Sequence, residues 1–163
     1  MTDSEVSPIT LSYIAGFLDG DGCINLQLVR RKDYRLGYQI RPAVVFYQRS
    51  EHREFLRWLQ SVLRYGFVRD RKDGMSEYVI VEVRAVLAVL QSLKSYIHLK
   101  AKQCELVIEV LSELQKAHRI SAEEFLVLAK KVDQFSELNF SKKRTIRSEQ
   151  VEAFLKAQLI LIP

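Results

Sequence analysis

The N-terminal part of the chain joins a helical pattern of apolar residues directly to a strand-like one, and this order constrains the fold most. Ser7 and Pro8 are typical of a helix start, and apolar residues follow at helical spacing: Leu11, Ile14, Phe17 and Leu18. The glycines of residues 19–22, with sequence DGDG, predict the end of this helix. Residues 24–29 then alternate between apolar and more polar side chains, which predicts a strand with one solvent-facing side.

A second strand and a second helix–strand–strand unit follow. Residues 39–47 alternate like a strand, residues 55–63 have helical spacing, and residues 67–71 and 78–83 read as a hairpin around residues 72–74. Helices are predicted for residues 86–93, 104–114, 125–135 and 151–155, with Ser148 as the N-cap of the last. Four strands in two hairpins predict an α+β fold: an αββαββα core with a four-stranded antiparallel sheet, helices on one face, and further C-terminal helices. We expect one domain over residues 1–163, with its core at about 7–158.

Charge and cysteine content narrow the class of partner. The net charge of +5 and the pI of about 9.2 favour an anionic partner, with nucleic acid ahead of a membrane surface. Two cysteines without a CxxC pair argue against a disulfide framework or a zinc ribbon. Because no apolar run reaches the length of a membrane span, we expect no membrane partner. The polar, acidic N-terminus resembles neither a signal peptide nor a transit peptide, so we expect an intracellular protein.

The end of the first helix carries the residues with chemical potential. Asp19 and Asp21 lie where the helix dipole disfavours carboxylates; turn formation by Asp-Gly pairs is one explanation. The other starts from the face that Ala15, Gly16, Asp19 and Gly20 share, because two glycines make it smooth enough for a second helix to approach closely. Two such helices would bring two carboxylates together, and a cation would then have to lie between them.

Residues 14–22, with sequence IAGFLDGDG, resemble the signature of the LAGLIDADG homing endonucleases. The chain is similar to the single-motif, homodimeric branch encoded in introns of organellar and archaeal ribosomal RNA genes. The similarity runs from about residue 11 to residue 155 and includes Gln48, residues 66–71 (GFVRDR), residues 99–103 (LKAKQ), and residues 138–142 (LNFSK) with Arg144 and Ser148. It implies a saddle-shaped sheet, and a protein of a chloroplast, a mitochondrion, or the archaeal or bacterial cytoplasm.

The resemblance also implies the catalytic residues. Asp21 would bind a divalent metal together with the backbone carbonyl of Gly20, and hard oxygen ligands suit Mg²⁺. Mn²⁺ is expected to substitute, Ca²⁺ to bind without efficient cleavage, and no small-molecule cofactor is expected. Gln48 and Lys100 match residues that order water around the scissile phosphate. His52 stands where relatives carry arginine, which leaves its role open between the water network and a phosphate contact.

The same resemblance implies double-stranded DNA and a second copy of the chain as partners. The solvent-facing side of the sheet would enter the major groove, with these base contacts expected: Asn25, Gln27, Val29, Tyr34, Gln39, Arg41, Val45, Arg69, Arg71 and Glu77. Phosphate contacts are expected from Lys102, Ser141, Lys142, Lys143 and Arg144. One signature per chain predicts a homodimer that pairs through Ala15, Gly16, Asp19 and Gly20 and cuts both strands of a long, partly palindromic site.

An intron maturase, or a nucleic-acid-binding protein without nuclease activity, is the alternative on the same fold. The presence of Asp21, Gln48 and Lys100 favours an enzyme. A ββα-metal nuclease is disfavoured because the chain lacks that class's paired histidines with asparagine, and no acid-x-lysine strand site stands out either.

Overall fold

The chain, in a computed structural model, is described over residues 6–139 and 146–158. The helices of these ranges are α1 (Pro8–Asp21), α2 (Arg53–Leu63), α3 (Val83–Leu93), α4 (Ala101–Lys116), α5 (Ala122–Leu138) and α6 (Ser148–Ala157). The strands are β1 (Gly22–Arg30), β2 (Tyr38–Arg49), β3 (Phe67–Asp70) and β4 (Met75–Ile80). Short 3₁₀ turns cover Ser50–His52 and Lys94–Tyr96.

The four strands form one antiparallel sheet in the order β1-β2-β4-β3. The two hairpins meet where β2 pairs with β4, from Val44 opposite Ile80 to Arg49 opposite Met75. Alternate strand residues are buried under the helices, and they are Ile24, Leu26, Leu28, Ile40, Val44 and Phe46. The predicted α+β fold, with an antiparallel sheet and helices on one face, is confirmed.

The start and end of α1 follow from single residues. Ser7 Oγ accepts a hydrogen bond from the Thr10 amide at 3.2 Å, and Pro8 occupies the first helical turn, where its missing N–H costs nothing. At the other end, Gly22 takes an extended conformation immediately after the helix. A Cβ at Gly22 would lie 2.6 Å from Leu18 Cδ1, so glycine allows the chain to pass from α1 into β1 without a loop.

One hydrophobic cluster extends from Ile14 in α1 to Leu155 in α6. Its largest fully buried side chains are Tyr78, Phe46 and Phe135. The Tyr78 hydroxyl donates to the carbonyl of Tyr65 at 2.6 Å, which satisfies the one polar atom of that ring. Among the described helices, none is long and apolar enough to cross a membrane.

Two predicted boundaries were wrong. The second strand of the β3–β4 hairpin covers Met75–Ile80 rather than residues 78–83. It begins earlier because Gly74 takes a positive φ of 79° and Asp73 Oδ1 accepts from the Met75 amide, so the turn is complete at residue 74. Ser148 is the first residue of α6 and not its cap, and its hydroxyl donates to the Asp133 carboxylate at 2.5 Å.

Candidate active site and nucleic-acid interface

Asp19, the first acid of the signature, is fixed by the turn that precedes α4. Its carboxylate accepts hydrogen bonds from the backbone amides of His98 at 2.7 Å, Leu99 at 3.1 Å and Lys100 at 3.1 Å. Burial alone would raise the pKa of Asp19, but the three amides and the Lys100 charge outweigh it and lower that pKa. The carboxylate is thus stable at the end of a helix because it has its own donors.

The Lys100 side chain also contacts the C-terminal end of α1. Its ammonium donates to the Asp19 backbone carbonyl, and its charge acts on the thiol of Cys23 at the start of β1. A cation at the C-terminal end of a helix interacts favourably with the helix dipole. Lys100 is 81 residues from Asp19 in the sequence, and the fold brings it to the C-terminal end of α1.

Asp21, the second acid, is exposed at the last position of α1. Over residues 6–139 and 146–158 its carboxylate makes no hydrogen bond or ion pair, and no three His, Cys, Asp or Glu side chains cluster as a metal site. Its carboxylate and the Gly20 carbonyl are hard oxygen donors, which Mg²⁺ prefers. An ion held by these two oxygens would complete its coordination shell with oxygens from elsewhere, such as water, phosphate or a second copy of the chain.

Gln48 and His52 lie together at the end of β2. Gln48 is half-buried and accepts the Arg49 amide at 3.0 Å, while His52 is exposed and lies 3.8 Å from the Glu51 carboxylate. Both line a cavity of about 280 Å³ with three aromatic rings, those of Tyr13, Phe17 and Phe55. Within the described residues, no hydrogen bond joins Gln48 to Lys100 or Asp21.

The sheet face opposite the helices, called the open face below, carries most of the predicted base contacts. Strand register places Val29 beside Gln39, Gln27 beside Arg41, and Glu77 between Tyr47 and Arg69. With its amide oxygen turned to Arg41, Gln27 accepts two hydrogen bonds from that guanidinium, at 3.1 and 2.6 Å. Asn25 completes the row on β1, and Tyr34 is exposed in the β1–β2 loop.

Glu77, predicted as a base contact, is buried and paired with two arginines. Its side chain is 6% exposed, it accepts from Arg69 Nε at 2.5 Å, and it lies 3.9 Å from Arg71. Burial, followed by the charges of Cys23 and Glu77, raises the pKa of the neighbouring Tyr47. A covered carboxylate paired with two arginines orients their guanidinium groups, and it offers little surface to a base.

Two further residues with predicted contacts are buried. Val45, predicted as a base contact, is only 7% exposed because Cys23 and Val79 flank it on the adjacent strands. Ala15, expected in a helix-pairing face, is fully buried in the chain's own core. The helical rotation places Ala15 beside Ile14 and Leu18 on the inner side of α1.

Gly16 and Gly20 do lie on the exposed side of α1. A Cβ at either position would have nothing within 4 Å, so the helix surface there is open. Exposed apolar side chains continue this surface, with Ile9 83% and Tyr13 56% exposed. Asp19, also predicted here, is partly exposed and uses its carboxylate within the chain.

Of the predicted phosphate contacts, Lys102 is exposed in the first turn of α4. Ser141, Lys142, Lys143 and Arg144 lie outside the described residues. Sequence reasoning missed Arg49 and Phe67, which are exposed on the open face. Alternation along β2 could have identified Arg49, whereas Phe67 joins this face only through its pairing with Val79.

These features define a protein that binds a polyanion across an arginine- and amide-lined sheet and places a carboxylate and a lysine at its edge. The family model described as LAGLIDADG endonuclease matches residues 14–111. The DNA endonuclease I-CvuI of Chlorella vulgaris is 38% identical over 148 residues, covering 91% of both chains. The DNA endonuclease I-CreI of Chlamydomonas reinhardtii is 36% identical over 145 residues, covering 89% of this chain and 88% of its own.

Solved structures give the same result. The crystal structure of the homing endonuclease I-CvuI in complex with its target, in the presence of Ca, superposes with a TM-score of 0.88 at 34% identity, covering 94% of this chain and 97% of that one. The archaeal intron-encoded homing endonuclease I-Vdi141I, complexed with DNA, shares the fold at a TM-score of 0.80 and 16% identity, covering 91% of this chain and 96% of its own. The chain belongs to the LAGLIDADG endonuclease family, and the predicted DNA endonuclease class is confirmed.

Proposed function

We propose that two copies of this chain form a homodimer that binds a long, partly palindromic DNA site and cuts both strands. The observation that carries this proposal is the exposed, unpaired Asp21 at the end of a helix whose outer surface is bare at Gly16 and Gly20. One chain has one such carboxylate, while cutting two strands requires a site for each. Twofold symmetry would supply the second carboxylate and make the two half-sites of the DNA similar.

The surface around α1 supports self-association. Tyr13 and Trp58 are both exposed, and their rings pack against each other at 6.0 Å and against Phe55. Contiguous exposed aromatic surface commonly marks an interaction site. Because Gly16 and Gly20 present no side chains, a second α1 can approach along this surface closely enough to bring the two Asp21 carboxylates together.

The two carboxylates and the Gly20 carbonyls would hold the divalent metal, with the remaining oxygens coming from DNA and water. Structures of I-CvuI were obtained with target DNA in Ca and, with DNA not cleaved, in Mg. We propose Mg²⁺ as the working ion, Mn²⁺ as a substitute, and Ca²⁺ as an ion that binds without efficient cleavage. When bound, such an ion supplies charge stabilisation at the phosphate and acidifies bound water.

The chain's own residues would complete the site. Lys100, which donates to the Asp19 carbonyl, would place a positive charge where negative charge develops on the attacked phosphate. Gln48 would orient water by its side-chain amide. His52, in the same cavity as Gln48, contributes a further polar group at its edge.

The open face would read the DNA. Arg69 and Arg71 are oriented by Glu77, and a guanidinium held in place can bond both acceptors of guanine. Gln27 and Arg41 form a second linked pair towards the hairpin end of the sheet. Lys102 and the segment 141–144 would contact phosphates and position the protein without selecting sequence. We place this activity inside the cell, in a chloroplast or mitochondrion if the host is a eukaryote; the two free thiols fit a reducing compartment.

Replacing Asp21 with asparagine tests the catalytic assignment. Asp21→Asn should abolish cleavage in Mg²⁺ and leave specific binding to the same DNA largely intact, because Asp21 is not on the open face. Glu113→Gln, which removes an exposed carboxylate at the end of α4 opposite to Lys100, is the matched control and should cut normally. Substantial cutting by purified Asp21→Asn would show that the metal role is wrong.

The homodimer is tested separately by sedimentation at micromolar concentration. Gly16→Leu should shift the protein towards monomer and remove double-strand cleavage, because the new side chain fills the space between the helices. Lys130→Leu places the same side chain on an exposed part of α5, away from this surface, and should associate normally. A monomeric wild type that makes double-strand breaks, or a Gly16→Leu variant with normal association and activity, would overturn the dimer.

A further inference from the structure

A stack of three side chains, two aromatic rings and one guanidinium, packs against the hairpin end of β1 and β2 on the side away from the open face. Arg30 ends β1, and its guanidinium lies 4.0 Å from the centroid of the Phe154 ring and 4.8 Å from that of Tyr38. Phe154 belongs to α6, and its ring meets Tyr38 edge to face at 5.7 Å. Both contacts to Arg30 are within the range of an effective cation–π interaction. This group of residues is called the hairpin clamp below.

Gly37 completes the clamp at the start of the returning strand. Its carbonyl accepts from the Arg30 side chain and from the Arg31 amide, the latter at 2.9 Å. Its φ is +72°, and a Cβ there would lie 2.3 Å from Phe154 Cε1. Glycine at this position therefore provides both the turn geometry and the close seat for the aromatic ring.

The helix that presents Phe154 is itself fixed to the body of the protein. Ser148 donates to the Asp133 carboxylate of α5 through both its amide and its hydroxyl. Val151 and Leu155 are fully buried in the core on either side of Phe154. Because close-packed cores transmit displacement, the position of Phe154 is set by α5 and the core, and the hairpin end must follow it.

The residues next to the clamp face the DNA side. Val29 precedes Arg30, Gln39 follows Tyr38, and the two are paired across the strands on the open face. With a rise of roughly 3.3 Å per strand residue, Val29 lies about 23 Å along β1 from Gly22. At about 3.4 Å per base-pair step, this hairpin end reaches base pairs about seven steps from those near the tip of α1.

We propose that Arg30 and Phe154 are positioning residues for sequence specificity: they set the preference at the outer base pairs of each half-site without touching DNA. This inference rests on the proposed function only in assuming that the open face reads the target. Loss of the stack would let the hairpin end move relative to the groove, so Val29 and Gln39 would discriminate less. The inner base pairs, read nearer to Asn25 and Arg69, would be unaffected.

The test is a cleavage profile on a target with each half-site base pair varied in turn. Phe154→Leu and Arg30→Gln should each reduce discrimination at the outer base pairs by about two- to five-fold, the scale of one cation–π contact. Inner preferences and the single-turnover rate on the best target should remain within about two-fold of wild type. The double variant should lose little more than either single one, and Phe154→Tyr, which keeps the ring, should retain the wild-type profile.

A matched control separates the clamp from a general loss of stability. Val89→Ala removes buried volume from α3, near Leu11 and Leu63 and away from the clamp, and should lower the melting temperature but leave the profile unchanged. Arg30→Gln changes an exposed residue and keeps the test decisive if Phe154→Leu does not fold. Outer preferences unchanged in both clamp variants, or changed equally in Val89→Ala, would overturn the inference.

A second measurement needs no DNA. Amide hydrogen exchange at Val29 and Gln39 in the free protein should be faster in Phe154→Leu than in wild type, with exchange in β4 unchanged. If the wild type failed to cut DNA, the proposed function would be wrong. The rate of amide exchange at Val29 and Gln39 would still decide whether the clamp holds the hairpin. If the wild type cuts selectively but exchange is unaltered, the clamp alone is wrong.

Discussion

Asp19→Asn is the perturbation that most directly probes how the signature segment is held. In the wild-type protein, one carboxylate oxygen accepts from the amides of His98 and Leu99 and the other accepts from Lys100. An asparagine can keep the first pair through its oxygen, but its NH₂ group then faces the Lys100 amide, donor against donor. The variant therefore loses one hydrogen bond and the negative charge that strengthens the other two.

The magnitude follows from these three contacts. A hydrogen bond to a charged group contributes about 1.5–3 kcal/mol. The variant loses the bond from the Lys100 amide, and the weaker bonds from His98 and Leu99 increase the total loss. Because Asp19 is partly exposed and water can relieve the unpaired amide, we expect Asp19→Asn to lower the free energy of unfolding by about 2 kcal/mol at neutral pH. Lys100 would lose its fixed place beside α1, so cleavage should slow even though Asp21 is intact.

Urea unfolding at a fixed protomer concentration measures this loss, and pH identifies its cause. The folded pKa of Asp19 is lowered, so its contribution is present above the unfolded pKa of about 3.9 and is lost as pH falls through the folded value. The stability gap between wild type and Asp19→Asn should therefore narrow in acid. A variant as stable as wild type at pH 7, or a gap that is constant as pH falls below the unfolded pKa, would refute the reasoning.

Three other predictions concern the reaction. Lys100→Ala and Gln48→Ala should slow single-turnover cleavage by about ten-fold or more with smaller losses in binding, since each removes a group that we propose acts at the reacting phosphate; wild-type rates in both would contradict this. Arg69→Ala should relax preference at particular base pairs by about 1–3 kcal/mol, whereas Lys142→Ala should weaken binding to all sequences and reduce its salt dependence, as titrations at several salt concentrations would show. Removing divalent metal should stop cleavage, Mn²⁺ should restore it, and Ca²⁺ should restore binding alone, a pattern that gel assays of one target can confirm or exclude.

The sequence predicted the fold well wherever periodicity was clear. Alternation placed Ile24, Leu26 and Leu28 in the core, and the glycine-rich turn correctly ended α1. The β3–β4 hairpin was less well predicted because β4 is buried over most of its length and so lacks the alternation that marks a half-exposed strand. Its start depends on the Gly74 turn rather than on any apolar pattern.

The candidate site, like the fold, was predictable from the sequence only in part. The resemblance led to the proposal of Asp21, Gln48 and Lys100 as catalytic residues, but it did not predict the contacts that hold Lys100. The bonds from residues 98–100 to Asp19 connect parts of the chain about eighty residues apart, and no local pattern announces them. Likewise, Glu77 looked like an exposed strand residue, and only its pairing opposite Arg69 and Tyr47 explains why it is buried.

The direct passage from α1 to β1 at Gly22 has a consequence for how such a protein acquires new targets. Since no loop separates Asp21 from β1, rigid backbone would set the spacing between the proposed cutting site and every base that this strand contacts. Single substitutions on the strand could then exchange one preferred base for another while the overhang left by cleavage stays the same. An insertion of one residue at this junction would instead turn every β1 side chain to the opposite face, and both recognition and folding would fail together.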